Sequence, residues 1–423
     1  MGAFKLQTLK QKLWAIVAAS FVARVILFFA LPNTPSSLAP DEGIYAAITK
    51  WLSDSKLAKD FPNFGEGLYL SGRSLIVPSV LLTRLGINEL DAVRLIATLF
   101  GILSLILVVL MILKLEKRET SFGVQNRYNT NLITGIVFIF AFLPSHFMWS
   151  NLGLRESVTE FGLIATFVSF FYIFHHYEKI LVPTTICLFA SIVVTFSARP
   201  QVGWVLSVSL MMFLLISPKN IVTLLLIPVV LCGALLGSFM NSGNTGMKLL
   251  NPLIESGEVV SSKQVLNQIG AVSVIKTLGC PFENESAGSE SSNKFGTYLC
   301  LAWRAPYMVS TFLLRPIIGV DVTSASSLLA AIENIFWLAL FMAIIFLMIR
   351  KRTISFLNPI LPSVIFYMLY VLGASAYQGN MGTAFRHKSL VLWVVLLVIF
   401  ALLWQKPEDF SKKPRNNSQE SAV

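Results

Sequence analysis

Apolar residues in this chain come in membrane-length blocks rather than in the short alternating patterns of soluble strands, and those blocks predict its elements. Roughly 20 consecutive apolar residues cross a bilayer as a helix. Such runs are expected at 13–31, 92–113, 131–149, 157–174, 180–197, 201–217, 220–240, 328–349, 354–376 and 389–405. Two shorter patterns differ. The run at 74–87 holds Pro78 and Arg84 and is too short to cross, so it reads as a helix lying on the membrane surface. Over 43–52, Ile44, Ala47, Ile48, Trp51 and Leu52 share one helical face with Lys50 opposite, which predicts a second interfacial helix. The reading is an all-α polytopic membrane protein of about ten transmembrane helices, with two interfacial helices in a first outer loop at 32–91.

The segments then divide into an N-terminal transmembrane module over 1–240, a large outer loop over 241–327, C-terminal transmembrane helices over 328–405 and a polar cytoplasmic tail over 406–423 that reads as disordered. The first run lacks a small-residue cleavage site and reads as a retained span.

Composition agrees. Of 423 residues, 55% are hydrophobic and only 13% charged, far from the balance of a soluble domain. The charge of +11 carries the orientation. Lys5, Lys10, Lys12, Lys114, Lys117, Arg118, Arg127, Lys179, Lys219, Arg350, Lys351 and Arg352 all fall on one side of a ten-span chain, which places both termini in the cytoplasm of a plasma membrane. That basicity is topology signal and lipid-facing charge, so no nucleic-acid partner is expected.

With this topology the unusual polar residues gather on the outer rim. They are Asp41 and Glu42 in PDEGIYAAITKWL, then Arg73, Arg94, the pair Arg155 and Glu156 in SNLGLRES, Arg199 in SARPQ, and Arg386, His387 and Lys388 in GTAFRHK. A rim of convergent polar groups is where a site belongs, whereas a transporter would line the midplane with them. Arg24 and Glu333, inside spans, read as structural ion pairs or snorkelled charges rather than a relay. Taken alone, an Asp-Glu pair before a helix is an ordinary N-terminal cap. Cys187 and Cys232 fall inside spans and read as packing residues, while Cys280 and Cys300 share the large outer loop and could form a disulfide. Phosphate-cradling glycine loops, nucleophile elbows and metal-ligand spacings are absent from the sequence.

The order of features resembles the membrane glycosyltransferases of the GT-C type, above all protein O-mannosyltransferases and the aminoarabinose transferase of lipid A. The shared features are PDEGIYAAITKWL after the first span, SGRSLIVPSVLLTRLG as a second surface helix, DAVRLIATLFG opening the next span with an Arg-Leu pair, and Pro144 and Glu156 in FLPSHFMWSNLGLRES. The likeness covers about residues 10–180. Glu156 stands where the family more often has Asp, GRSLIVP replaces its Pro-Pro-Leu motif, and no DxD motif occurs in the first outer loop, so no metal or cofactor is expected.

The resemblance implies inverting transfer of a sugar from a polyprenyl-phosphate donor to an acceptor protein, lipid or glycan on the extracytoplasmic face, in envelope glycan or glycoprotein assembly. Asp41 would take the acceptor proton, with Glu42 beside it. Guanidinium is the natural partner of the departing lipid phosphate, which makes Arg94 the first candidate and Arg73, Arg199 and Arg386 further ones. Tyr45, Arg155, Glu156 and His387 would hold substrate, His387 as a neutral hydrogen-bond donor. The loop rich in Ser, Asn and Gly near 284–293 would be a lid. The alternative reading is a polysaccharide polymerase or ligase relying on outer-loop Arg and His, or a lipid-linked glycan exporter needing Arg24 and Glu333.

Overall fold

The computed structural model describes residues 2–36, 41–54, 72–121, 130–216, 221–241, 294–322, 325–351, 360–377 and 381–404. Every regular element among them is helical: α1 (Gly2–Ala30), α2 (Asp41–Ser53), α3 (Arg73–Arg84), α4 (Glu89–Ser121), α5 (Thr130–Phe142), α6 (Pro144–Trp149), α7 (Glu156–Ala198), α8 (Pro200–Ile216), α9 (Ile221–Asn241), α10 (Lys294–Leu314), α11 (Ala325–Lys351), α12 (Leu361–Tyr377), α13 (Met381–Ser389) and α14 (Leu392–Trp404). Among the described residues, five apolar stretches are long enough to cross a membrane: Thr8–Ala30, Glu89–Lys114, Glu156–Ile173, Ser327–Ile349 and Phe385–Leu402. Shorter apolar helices occupy Thr130–Phe142, Val182–Ala198, Pro200–Ile216, Leu226–Phe239, Ala305–Leu314 and Leu361–Ser375. The chain is a polytopic helical membrane protein. Cys280, the expected pairing of Cys280 with Cys300, the Ser/Asn-rich loop and the tail lie outside the described residues or side chains.

Helix α7 is not one rod. A straight helix would separate Thr166 from Ser191 by roughly 37 Å. Instead Thr166 Oγ1 donates to Ser191 Oγ over 2.9 Å, and Gly162 lies against Thr195. The chain therefore doubles back into two antiparallel limbs, Glu156–Ile173 and Val182–Ala198, which coincide with two separate apolar runs of the sequence, the second of them shorter than a membrane-crossing helix. Small residues make the close approach: a Cβ on Gly162 would stand 2.5 Å from Thr195 Oγ1. The Phe196 ring fits between α8 and α9, because glycine at 203 and 237 leaves room for it.

The expected span 131–149 is interrupted. Pro144 has no N–H to continue the ladder, so α5 stops at Phe142, Leu143 turns extended with ψ 130°, and α6 begins with Pro144 at its first position. Two buried charges hold this short helix at both ends. Glu333 accepts the Ser145 N–H over 2.8 Å at its N-terminus, and Arg24 donates from Nε to Ser150 Oγ over 3.1 Å at its C-terminus while lying 4.9 Å above the Phe147 ring. An acid at the positive end and a cation at the negative end both oppose the helix dipole favourably. Arg24 and Glu333 therefore hold α6 in place, one from α1 and the other from α11.

Two further findings depart from the sequence reading. Helix α10 packs on α12 and sinks Phe312 into the main core, so the end of the expected outer loop belongs to the bundle. Cys187 and Cys232 are free and exposed rather than packed inside, because their helix faces look outward.

Helices α2 and α3 pack against each other and both against α4, as the amphipathic patterns predict. Tyr45 and Ile48 of α2 join Leu75, Ile76 and Val80 of α3, Val93 and Ile96 of α4, and Leu154 and Val158 in a small core separate from the main one. That core carries the polar rim described next.

Candidate functional site

Two adjacent carboxylates open α2, and the fold sends them in different directions. Glu42 turns inward and is fully buried. Its carboxylate receives a two-pronged bond from Arg94, Nε to Oε1 at 2.7 Å and Nη2 to Oε2 at 3.0 Å, together with the backbone N–H groups of Ser36 and Gly153, each at 2.9 Å. Arg94 spends its remaining reach on the carbonyls of Pro32 at 2.8 Å and Thr34 at 3.1 Å. Both charges are thus paired and every nitrogen and oxygen of the pair has a partner, which is the condition under which a buried ion pair is tolerated. The pair joins the start of α2, the end of the first apolar helix, α4 and the 150–155 turn.

Asp41 turns outward. Its side chain is 43% exposed, and Oδ2 receives Arg386 Nη1 of α13 over 3.0 Å. Arg386 also lies 4.0 Å from Glu156 Oε1 at the start of α7, and the same oxygen accepts Arg199 Nη2 over 2.6 Å. Arg199 sits at the break between α7 and α8, where its extended backbone (φ −152°) lets Pro200 begin the next helix. Its Nη1 donates to His387 Nε2. Guanidinium nitrogens only donate, so that imidazole nitrogen is unprotonated and accepting. His387 therefore orients Arg199, and its Nε2 is not the substrate-facing donor expected from the sequence.

Arg155 and Tyr45 complete the group. Tyr45 is buried and Arg155 partly so, and both lie within electrostatic reach of Asp41, Glu156 and Arg199. Burial raises the Tyr45 phenol above its ordinary value, so it stays protonated and neutral. Burial, and then the neighbouring Arg199, lowers the Arg155 guanidinium. Three guanidiniums, Arg155, Arg199 and Arg386, face two carboxylates, Asp41 and Glu156, leaving an excess of positive charge beside one half-exposed carboxylate. Chemically the arrangement can hold an anion and accept a proton next to it.

The basic triplet at 386–388 is a three-way fastener. Arg386 reaches α2 and His387 meets the α7–α8 junction. Lys388 Nζ donates to the Arg315 carbonyl at 2.6 Å and to Asn334 Oδ1 at 2.7 Å.

Of the residues singled out from sequence, Asp41, Tyr45, Arg155, Glu156, Arg199, Arg386 and His387 come together, from α2, the turn before α7, α7, its junction with α8, and α13. Glu42 and Arg94 form the adjoining buried pair. Arg73 stands half-buried at the first residue of α3. Sequence reasoning missed His146 and Glu160, whose buried 2.9 Å contact sits one turn below Glu156 on α7. The i, i+4 spacing of Glu156 and Glu160 was the signal that could have found it. Among the described residues no group of His, Cys, Asp and Glu has the makings of a metal site. In comparisons with known proteins, no family model matches this chain and no curated protein matches it significantly.

Proposed function

We propose that this chain is an inverting glycosyltransferase of GT-C character, a ten-span protein of the plasma membrane that moves a sugar from a polyprenyl-phosphate donor to an acceptor on the extracytoplasmic face. The observation that carries the reading is Asp41: a half-exposed carboxylate held by Arg386 at the edge of a guanidinium cluster.

In the transfer, the acceptor hydroxyl oxygen forms a bond to the anomeric carbon from the face opposite the phosphate. The bond from that carbon to the phosphate oxygen breaks, and its electron pair leaves with the lipid phosphate. Asp41 takes the hydroxyl proton. Arg386, Arg199 and Arg155 stabilise the charge gathering on the phosphate, and Glu156 keeps two of those guanidiniums in place. Glu42 and Arg94 act as positioning residues, because their polar atoms are spent on each other and on the backbone. No metal or cofactor is invoked.

The exporter alternative leans on Arg24 and Glu333, and both are engaged in holding α6. The polymerase or ligase alternative shares the anion-binding arginines and differs in needing no base at Asp41.

The test is direct transfer. Purified protein in lipid, given a radiolabelled polyprenyl-phosphate sugar and a membrane extract as acceptor source, should move label from the lipid into a new product. Label that remains wholly on the polyprenyl carrier under conditions where the carrier binds would rule out the transferase.

A further inference from the structure

A helix as short as α6 makes too few backbone bonds to fix its own place, so its position is set by what its side chains and ends grip. Glu333 and Arg24 tie its two ends to α11 and α1. A third tie runs to α7, where His146 Nδ1 and Glu160 Oε2 meet at 2.9 Å with both side chains buried. A carboxylate oxygen accepts, so Nδ1 carries the hydrogen. The imidazole plane is fixed by Phe140, stacked on it with ring centroids 4.2 Å apart. His146 Nε2 and Glu160 Oε1 have no hydrogen-bond partner among the described residues, so the bond between them is the one polar tie of each side chain.

That bond closes residues 146–160 into a loop, and the loop carries much of the site. Between its ends lie Gly153, Arg155 and Glu156. The Gly153 N–H donates to Glu42 Oε1 over 2.9 Å, and Glu42 adjoins Asp41 at the start of α2. The turn has no slack there, because a Cβ on Gly153 would stand 2.6 Å from Val93 Cγ1. Close-packed interiors pass a shift on rather than absorb it. Moving α6 away from α7 would therefore pull Gly153 off Glu42 and displace Asp41 at the edge where Arg386 meets it.

We propose that His146 and Glu160 are positioning residues: their bond sets α6 against α7, seats the 150–155 turn on Glu42, and through Glu42 fixes where Asp41 stands. They act through Gly153 and Glu42 and not on the substrate. The seating of the turn is independent of the transferase reading, while its effect on proton transfer rests on that reading.

The test uses full-length protein in phosphatidylethanolamine and phosphatidylglycerol nanodiscs, with hydrogen–deuterium exchange read over residues 145–155. His146→Phe keeps the stack on Phe140 and removes the Nδ1 donor, whereas His146→Asn puts an amide N–H close to where Nδ1–H stood. Thr166→Ala, which removes the bond to Ser191 within α7, is the control for general loosening. His146→Phe should speed exchange of the turn by about tenfold or more, with His146→Asn and Thr166→Ala close to wild type. Wild-type protection in His146→Phe overturns the proposal, and so does opening in His146→Asn or Thr166→Ala equal to that in His146→Phe. If His146→Phe does not fold, Glu160→Gln decides: a neutral bond is weaker than a charge-assisted one, so exchange of the turn should rise several-fold, and unchanged exchange overturns the proposal. In transfer assays His146→Phe should lower kcat by about tenfold or more and leave KM for the carrier within a few-fold, because Arg199 and Arg386 stand on other elements. An open turn with unchanged kcat overturns the link to Asp41. A wild type that transfers nothing ends the transferase reading, and the exchange result still decides the seating of the turn.

Discussion

Asp41 and Arg386, 345 positions apart in the chain, meet across 3.0 Å at the edge of a buried polar cluster. The contact closes the α2 end of the protein onto α13, and everything proposed for the site depends on it. A guanidinium at this distance holds the carboxylate in one orientation while leaving its outer face accessible.

The buried partner pair behaves differently. Removing one member strands the other charge in a place with no water, at a cost of about 3–5 kcal/mol. Glu42→Gln or Arg94→Ala should therefore lower the thermal unfolding midpoint sharply. The double variant Glu42→Gln with Arg94→Met should recover part of the loss, because no uncompensated charge remains. Thermal denaturation of the four proteins in the same lipid checks this, and a double variant less stable than both singles would contradict it.

Gly153 lets the turn before α7 close on α4. A Cβ there would stand 2.6 Å from Val93 Cγ1 and 3.3 Å from Glu42 Cγ. Gly153→Ala should cost about 1–3 kcal/mol through overpacking and shift the 150–155 turn away from Glu42. Measured unfolding of the alanine variant at wild-type stability would show that the neighbours give way instead.

Arg199 uses the fork of its guanidinium, with one arm on Glu156 and the other on His387. A lysine carries the same charge but cannot reach both. Arg199→Lys should weaken binding of polyprenyl phosphate by about tenfold or more, equal to about 1.4 kcal/mol. Titration of the carrier lipid by microscale thermophoresis reads this out, and unchanged affinity would remove Arg199 from the anion cradle.

Much of this was legible before any coordinates. Membrane-length blocks located the apolar helices, the short amphipathic runs located α2 and α3, and side-sorting of charge gathered seven residues that do meet. The apolar pattern could not reveal how the charges partner. Asp41 and Glu42 are neighbours with the same chemistry, yet helical geometry turns them about 100° apart, one into the protein and the other out. Arg94 looked like a phosphate ligand because it opens a span, and only its contact with Glu42 shows that its donors are spent. Hydrophobicity also ran straight through Pro144, because Leu143 and Phe147 are as apolar as their neighbours while the backbone breaks there. The Lys388 connection to 315–322 joins residues too distant for any local pattern to report.

The central claim is that Asp41 takes the acceptor proton, and Asp41→Asn tests it most directly when carrier-lipid affinity and single-turnover transfer are measured on the same preparation. The amide keeps the shape and the exposed position but gives up basicity. The account predicts donor binding within a few-fold of wild type and transfer slowed by about 10²–10⁴-fold. Transfer near the wild-type rate with intact binding would contradict it and leave the arginine cluster as an anion site without a base.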